Sequence, residues 1–251
     1  MAGLPKRWDA RIAFAGLLLV SVNALFAQEN EAPGPFGSTM IGPVVAAILL
    51  ALLVLGLTVV ISVLAGLAFR RRFFGSTLVF YLAVASLIMP GLLVGLGVGL
   101  TYQTLGWFPS WYSSGLGAQL TWTIPFGLLI MFAVLSRFNR AFEEAGRDLG
   151  ASNWQIFWLV VVPILFPGMI AVALFGFTLS YDEFPRTLLT VGAKNTLPME
   201  IWGMTTNVTS PALYALGTVT TLVSFTVIIL ALGSIAIIQA RRTRGLGKRD
   251  A

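Results

Sequence analysis

Six apolar stretches, separated by short polar segments, constrain the fold of this chain more than any other feature. A transmembrane helix needs roughly 20 predominantly apolar residues, and fewer where long side chains at its ends reach the interface. With only 10% charged residues and a mean hydropathy of +0.88, the chain is too apolar for an ordinary soluble domain. We therefore predict an all-α membrane protein with six transmembrane helices, at residues 12–27, 40–69, 77–102, 119–135, 160–181 and 212–238.

The distribution of positive charge predicts the orientation of these helices. Fourteen of the 16 Lys and Arg residues precede the first stretch or follow the second, fourth and sixth, which leaves Arg186 and Lys194 for the opposite side. Because cytoplasmic loops carry an excess of Lys and Arg, both termini and the segment after the fourth stretch are predicted to be cytoplasmic. This topology explains the net charge of +6, so nucleic acid is not expected as a partner.

The first apolar stretch has two interpretations. Lys6, Arg7 and Arg11 before a 16-residue apolar run are also typical of a secretory signal. The run ends in Leu25-Phe26-Ala27, a poor cleavage site, so we expect the first helix to be retained. The charge distribution fits both interpretations, because a cleaved chain would have five spans that begin outside and likewise end inside. The predicted organisation is an N-terminal cytoplasmic segment, first helix and external loop at 1–39, a core at 40–240 with a cytoplasmic loop at 137–162, and a basic cytoplasmic tail at 241–251.

A polar island between the fourth and fifth stretches, Glu144–Pro163, stands out in so apolar a chain. At its start, side chains of opposite charge recur three and four residues apart, a spacing that makes them neighbours on one short helix. These side chains are Arg140, Glu143, Glu144 and Arg147. Gly150 is predicted to end that helix.

A second helix is predicted to follow at once. Ser152, with Gln155 three residues later, forms the sequence of a capping box, so this helix begins at about Asn153 and runs to Pro163. The pattern is helix, tight turn, helix, with a polar surface that faces the aqueous phase. We interpret it as a docking surface, because lipid does not receive such a group of polar side chains.

The same loop resembles the EAA signature of the permease subunits of bacterial ABC importers. The signature is Glu-Ala-Ala, three residues, Gly, nine residues, an aliphatic, any residue, an aliphatic and Pro, and it is matched here by Glu144, Ala145, Gly150, Val160, Val162 and Pro163. Gly146 replaces the usual second Ala, and valines replace the usual Ile and Leu. Over about residues 40–240 the chain is similar to permeases of spermidine and putrescine importers, through Ser180–Glu183, Leu197–Pro198 and Ser210–Pro211.

The resemblance implies a MetI-like, type I ABC importer fold in the bacterial inner membrane. The implied partners are a homologous second permease subunit in a heterodimer, two ATP-binding subunits, a periplasmic or lipid-anchored substrate-binding protein and membrane lipid. It also implies that the loop couples the chain to an ATPase, with Glu144 bonded to one of its cations; an internal pair with Arg140 or Arg147 is the alternative. The residues expected in this coupling surface are Glu143, Glu144, Ala145, Arg147, Asp148, Gly150, Ala151, Ser152 and Asn153.

Tyr181, Asp182 and Glu183, at the other end of the fifth stretch, are the candidate substrate-pathway residues. Two acids there meet the negative end of the helix dipole, and acids near membrane depth often mark routes for ions or substrates. The alternative is that Glu183 pairs with Arg186 three residues later and that Asp182 simply ends the helix in water. Together with the resemblance, the acids favour a polyamine as substrate, while iron, phosphonate, sulfate and amino-acid-like solutes stay open.

Three further patterns concern the remaining segments. Gly91, Gly95 and Gly99 are typical of a helix-packing surface in membranes, which we favour over a gating kink. The aromatic residues near 103–118 are interpreted as an interfacial belt rather than the mouth of a cation route: Tyr102, Trp107, Trp111 and Tyr112. Residues 185–211 are too interrupted to span and are predicted to form an external loop with a short helix.

An enzyme and a simple channel are the competing function classes. The chain has no His and no Cys, which removes the most frequent general base and two common metal ligands, so no catalytic or metal site is predicted. It also lacks an H-E-x-x-H motif, and Gly247-Lys248 has no Gly at the upstream position that a phosphate loop needs. A channel has no use for an elaborate polar loop. We therefore expect no cofactor on this chain, with ATP and Mg²⁺ on the partner ATPase.

Overall fold

The computed structural model describes residues 41–71, 73–192, 195–207 and 211–246. Within these ranges all regular secondary structure is helical, and two helices contain a π-helical turn. The helices are α1 (Ile41–Phe69), α2 (Ser76–Ile88), α3 (Gly91–Thr104), α4 (Trp111–Leu135), α5 (Ala141–Asp148), α6 (Asn153–Tyr181), α7 (Leu197–Asn207) and α8 (Pro211–Leu246). The predicted helix at 12–27, the rest of segment 1–39 and the end of the basic tail lie outside the described residues.

Four helices of this part of the chain, α1, α4, α6 and α8, are long and apolar enough to cross a membrane. Helices α2 and α3 pass that test only as a pair bent by 108°, which makes at most five spans. The prediction of one continuous helix over 77–102 is therefore wrong. Pro90 lacks a backbone N–H and disfavours helical backbone at the preceding residue, and Met89 is accordingly extended, with φ −64° and ψ 129°.

Helices α1, α4 and α6 pack against one another at the centre of the described bundle. Hydroxyl groups join α1 and α4: Thr58 Oγ1 donates to Thr123 Oγ1 at 3.0 Å, and Ser62 Oγ donates to the carbonyl of Ile124 at 3.4 Å. A Cβ added to Gly127 would overlap Ser62 Oγ, so this close approach of α1 and α4 requires glycine. Close packing of this kind holds helices together in lipid, where the hydrophobic effect does not.

The predicted ends of α1 and α6 are confirmed, but the start of α4 is not. The helix begins at Trp111, well before the predicted start, with a π-helical turn. Trp111 is buried against Leu50 and Val54 of α1, so the interfacial-belt interpretation is wrong for this residue. Trp107 and Tyr112 remain exposed. The extra turns of α4 are stabilised by this contact with α1, which is distant in sequence.

The glycine face of α3 packs against the turns that follow α6. A Cβ on Gly95 would lie 2.8 Å from the carbonyl oxygen of Arg186, and one on Gly99 would lie 2.7 Å from that of Leu189. A Cβ on Gly97 would meet open space. The packing interpretation of the glycine pattern is thus confirmed. The predicted short helix beyond these turns is also present, as α7.

Candidate functional site

The polar loop between α4 and α6 contains the short helix α5 and a tight turn at Gly150. Gly150 has a φ of +80°, in the left-handed region that favours glycine. The backbone N–H groups of Gly150 and Ala151 donate to the carbonyls of Arg147 and Gly146, at 2.8 and 3.0 Å. The predicted helix break at Gly150 is confirmed. Because the turn closes on its own hydrogen bonds, α5 keeps a fixed direction relative to α6.

The predicted capping box begins α6. Ser152 Oγ accepts a hydrogen bond from the backbone N–H of Gln155 at 3.3 Å, and Gln155 Oε1 accepts one from the backbone N–H of Ser152 at 2.8 Å. The helix begins at Asn153, as predicted, and continues through a π-helical turn, Phe157–Val161, into the apolar span. The loop and the span are therefore parts of one continuous element.

Glu143 on α5 lies between two arginines. Its Oε1 is 2.5 Å from Arg70 Nη1, and its Oε2 is 3.9 Å from Arg147 Nη2. The neighbouring pair expected from sequence spacing is confirmed for Glu143 and Arg147, but the close contact is with Arg70 at the end of α1. The sequence indicated Arg70 only as part of the positive charge after the second stretch. Its partner is 73 residues away, so no local pattern reveals the pair.

Two further contacts surround Arg70. Arg140 Nη2 donates to the backbone carbonyl of Arg70 at 2.9 Å, and the Arg70 guanidinium lies 4.7 Å from the centre of the Phe138 ring. A groove of about 640 Å³ opens beside them, between the end of α1 and α5, and Glu144 and Arg147 also line it. The end of α1 and the polar loop are therefore joined by an ion pair, a hydrogen bond and a cation–π contact.

Glu144 differs from its neighbour Glu143. It is exposed, and among the described residues it has no salt-bridge partner, so the alternative of an internal pair with Arg140 or Arg147 is not found there. Ala151 is half-buried against the apolar core beneath the loop. Other predicted coupling residues are exposed in the same way as Glu144: Ala145, Arg147, Asp148, Gly150, Ser152 and Asn153. The loop thus presents an exposed carboxylate on a rigid elbow, which is formed by α5, the turn at Gly150 and the capped first turn of α6.

At the opposite end of α6, two of the three predicted pathway residues lie inside the subunit. Tyr181 is 1% exposed and stacks on Phe177, with ring centres 5.7 Å apart. Glu183 is 4% exposed, 3.3 Å from Arg186 Nη1, and accepts the Arg186 backbone N–H at 3.0 Å. The alternative in which Glu183 pairs with Arg186 is confirmed. Both side chains are enclosed in this conformation, so the assignment of Tyr181 and Glu183 to the substrate pathway stays a prediction.

Arg186 is enclosed from several sides. Its guanidinium lies 4.5 Å from the centre of the Trp122 ring of α4, and the glycine face of α3 covers it at Gly91 and Gly95. Thr187 Oγ1 donates to the Glu183 carbonyl at 2.7 Å. The ion pair therefore fixes the shape of the turns that follow α6.

Asp182, the third predicted pathway residue, is exposed. It lines a groove of about 340 Å³ with Thr220, Thr221, Ser224 and Phe225 of α8. Partial desolvation by its surroundings raises the pKa of the exposed Asp182 carboxyl above its ordinary value. A carboxylate and three hydroxyl oxygens are acceptors for an ammonium group. The hydroxyls were not predicted from the sequence, because such groups usually bond to their own helix. Their spacing of three and four residues was the signal that could have indicated them.

Several apolar helices that are long enough to span, with a polar loop at one end of the bundle, define a multi-span membrane protein. A family model described as "Binding-protein-dependent transport system inner membrane component" matches residues 58–244. This match covers well over half of the chain, which therefore belongs to that family. The chain is a membrane permease subunit of the ABC importer class and not an enzyme.

Curated relatives and a solved structure agree with this assignment. The spermidine/putrescine transport system permease protein PotC of Shigella flexneri is 26% identical over 191 residues, which are 76% of this chain and 70% of the relative. The putrescine transport system permease protein PotI of Escherichia coli K12 is 29% identical over 153 residues, which are 59% of this chain and 54% of the relative. A chain of the inward-facing MetNI methionine ABC transporter shares the fold, with a TM-score of 0.63 and 14% identity. The match covers 80% of this chain and 95% of that one.

Proposed function

We propose that this chain is one permease subunit of an ATP-driven polyamine importer and that its α4–α6 loop couples it to the ATPase. The observation that carries the coupling is the exposed carboxylate of Glu144 on an elbow fixed by the Gly150 turn and the Ser152 capping box. A carboxylate held in this way can accept a charge-assisted hydrogen bond from a cation of a partner. Side chains on a rigid elbow also lose little freedom on binding.

Nucleotide binding closes the two ATPase subunits, and the loop, seated in a cleft on one of them, moves with it. Helix α6 passes that movement into the bundle, whose helices rock as rigid bodies and open the pathway to each side in turn. In this mechanism the exposed residues Glu144, Ala145, Asp148 and Asn153 contact the ATPase. The remaining coupling residues keep the elbow in shape: Glu143, Arg147, Gly150, Ala151 and Ser152.

The proposal includes the predicted topology. Six spans, with both termini and the loop in the cytoplasm of a bacterium, agree with the strong excess of Lys and Arg on one side. Residues 40–240 form the permease core, and 241–251 form a basic tail at the inner face of the inner membrane. The core pairs with a homologous second permease subunit, and the complex includes two ATP-binding subunits, which hold ATP and Mg²⁺, and a substrate-binding protein.

The proposed substrate is a polyamine. One relative is named as a spermidine/putrescine permease and another as a putrescine permease. The groove at Asp182 offers one carboxylate and three hydroxyl groups to a cation. No cation lines the described part of this groove, so it suits an ammonium better than sulfate or phosphonate. Phe225 adds an aromatic ring, which attracts cations over its face.

The coupling is tested by reversing the charge of Glu144. We expect Glu144→Lys to insert in the membrane but to lose co-purification with the ATPase subunits, because two cations would then face each other. Glu200→Lys makes the same charge change on α7, at the opposite end of the bundle, and should keep the ATPase bound. Normal uptake and normal ATPase binding by Glu144→Lys would refute the anchor role.

The substrate is tested by uptake into proteoliposomes that contain the complete complex. Radiolabelled putrescine and spermidine are compared with sulfate, phosphonate and ferric iron. We expect polyamine uptake in the wild type, a strong reduction in Asp182→Asn and no reduction in Glu200→Gln, which removes an acid elsewhere. Uptake of an anion instead, or unchanged polyamine uptake by Asp182→Asn, would remove this carboxylate from the account.

A further inference from the structure

We propose that Arg70 is the positioning residue through which movement of the α4–α6 loop reaches helix α1, and that α1 carries this movement to the groove at Asp182. The inference rests on the proposed coupling of the loop to an ATPase. It assigns a transmission role to a helix that neither contains the EAA-like signature nor adjoins it in sequence.

The loop has a direct connection to α1 besides its covalent connections to α4 and α6. Arg70 and Glu143 lie 2.5 Å apart with side chains only 15% and 16% exposed, so water screens this pair less than an exposed one. Arg140 and Phe138, which flank α5 on its N-terminal side, contact the backbone and the guanidinium of Arg70. A displacement of α5 must therefore either move the end of α1 or break these contacts.

Helix α1 is long enough to carry that displacement across the bundle. Its 29 residues extend over about 44 Å at 1.5 Å per residue. At its far end, Ala47 and Ala51 are buried in one cluster with Phe177 and Tyr181 of α6. Tyr181 immediately precedes Asp182, whose carboxylate lines the proposed substrate groove. One rigid helix thus contacts the loop at one end and the neighbour of Asp182 at the other.

The interior of α1 is closely packed against its neighbours. It packs closely against α4 and α6 along the bundle, and Thr58 bonds to Thr123 between α1 and α4. Tightly packed interfaces shift between discrete arrangements instead of deforming continuously. A push at Arg70 is therefore expected to displace α1 as a whole, and not to be absorbed within it.

The experiment uses the complete complex in proteoliposomes and measures ATP hydrolysis with and without putrescine-loaded binding protein. Arg70→Gln is compared with Arg71→Gln, which removes the neighbouring cation; Arg71 is exposed and has no ion pair in the described part of the chain. We expect Arg70→Gln to keep its ATPase subunits and its basal hydrolysis. Substrate stimulation should fall about fivefold or more, the lower end of typical coupling between linked sites. Arg71→Gln should be stimulated as the wild type is.

Exchanging the charges of Arg70 and Glu143 tests whether the ion pair itself, and not only the Arg70 side chain, is needed for transmission. Arg70→Glu and Glu143→Arg should each lose stimulation, and the double variant should recover most of it, since the pair is re-formed with reversed polarity. Unchanged stimulation in Arg70→Gln, or no recovery in a double variant that still binds its ATPase, would overturn the role of Arg70. Loss of the ATPase from Arg70→Gln would also overturn it, because the residue would then support assembly only. A wild-type chain that never binds an ATPase would overturn the proposed function itself.

Discussion

Two ion pairs of the same chemistry lie at opposite ends of the bundle and differ in what they connect. Arg70–Glu143 joins two helices that are 73 residues apart in sequence, and its side chains are partly accessible. Glu183–Arg186 joins residues three apart within one set of turns, and its side chains are 3% and 6% exposed. A pair between elements relates their positions to each other, whereas a pair within one segment fixes the shape of that segment.

Burial adds to the difference. Removing one partner of a buried pair leaves an uncompensated charge in a poorly solvated site, which is far more costly than the pair is stabilising. At the rim of the loop, water can reach the remaining charge. Loss of one partner is therefore expected to cost less at the loop end than at the opposite end.

The largest expected effect comes from Arg186→Ala. It leaves the Glu183 carboxylate buried without its partner, and we expect a loss of about 3–5 kcal/mol in the free energy of unfolding. Arg70→Ala should cost clearly less, because its partner stays within reach of water. Thermal unfolding of the purified complex in detergent measures both. Equal destabilisation by the two variants would contradict the difference between the two ion pairs. Partial recovery in the double variant Glu183→Gln with Arg186→Gln would show that the uncompensated charge causes the loss.

A smaller effect is expected where the glycine face of α3 covers the buried pair. Gly95→Ala places a methyl group 2.8 Å from the carbonyl oxygen of Arg186, and overpacking of this kind costs about 1–3 kcal/mol. Gly97→Ala on the same helix meets open space and should be neutral or slightly stabilising, since Ala favours helix over Gly by about 1 kcal/mol. The same unfolding assay distinguishes them. Identical midpoints for the two variants would contradict the close packing of α3 on these turns.

The smallest effect is expected at the loop end, from Ser152→Ala. The variant removes the side-chain oxygen that accepts the Gln155 N–H, and loss of such a cap costs about 1 kcal/mol. Faster hydrogen exchange at the first turn of α6 would report it, while global unfolding should change little. Ser152→Asp keeps an acceptor at the cap and serves as the control. If the first turn of α6 in Ser152→Ala exchanged its amide hydrogens at the wild-type rate, the elbow would not depend on its capping box.

Local signals in the sequence were enough to predict the elbow. Gly150 required a turn, and Ser152 with Gln155 required a helix start, because both depend on interactions within a few residues. The apolar stretches predicted α1, α6 and α8 for a similar reason. Residues 185–211, which are too interrupted to span, likewise indicated a loop with a short helix rather than a further span.

Features that depend on distant contacts were missed. The break at Pro90 lies inside an apolar run that is long enough to span, so its length concealed the bend. The burial of Trp111 depends on α1, more than fifty residues earlier in the chain. Arg70 and Glu143 meet only because the end of α1 lies beside the first turn of α5. The hydroxyls of α8 that line the proposed substrate groove could be recognised only once Asp182 was placed opposite them.

The central claim, that the elbow contacts an ATPase, is tested most directly by cysteine crosslinking. The chain has no native Cys, so Ala145→Cys introduces a single reactive thiol on the exposed surface of α5. A short bifunctional reagent should link this thiol to an ATPase subunit in the intact complex and should not do so from Thr205→Cys on α7. An intact, transport-active complex in which Ala145→Cys links only to lipid or to its own chain would contradict the account.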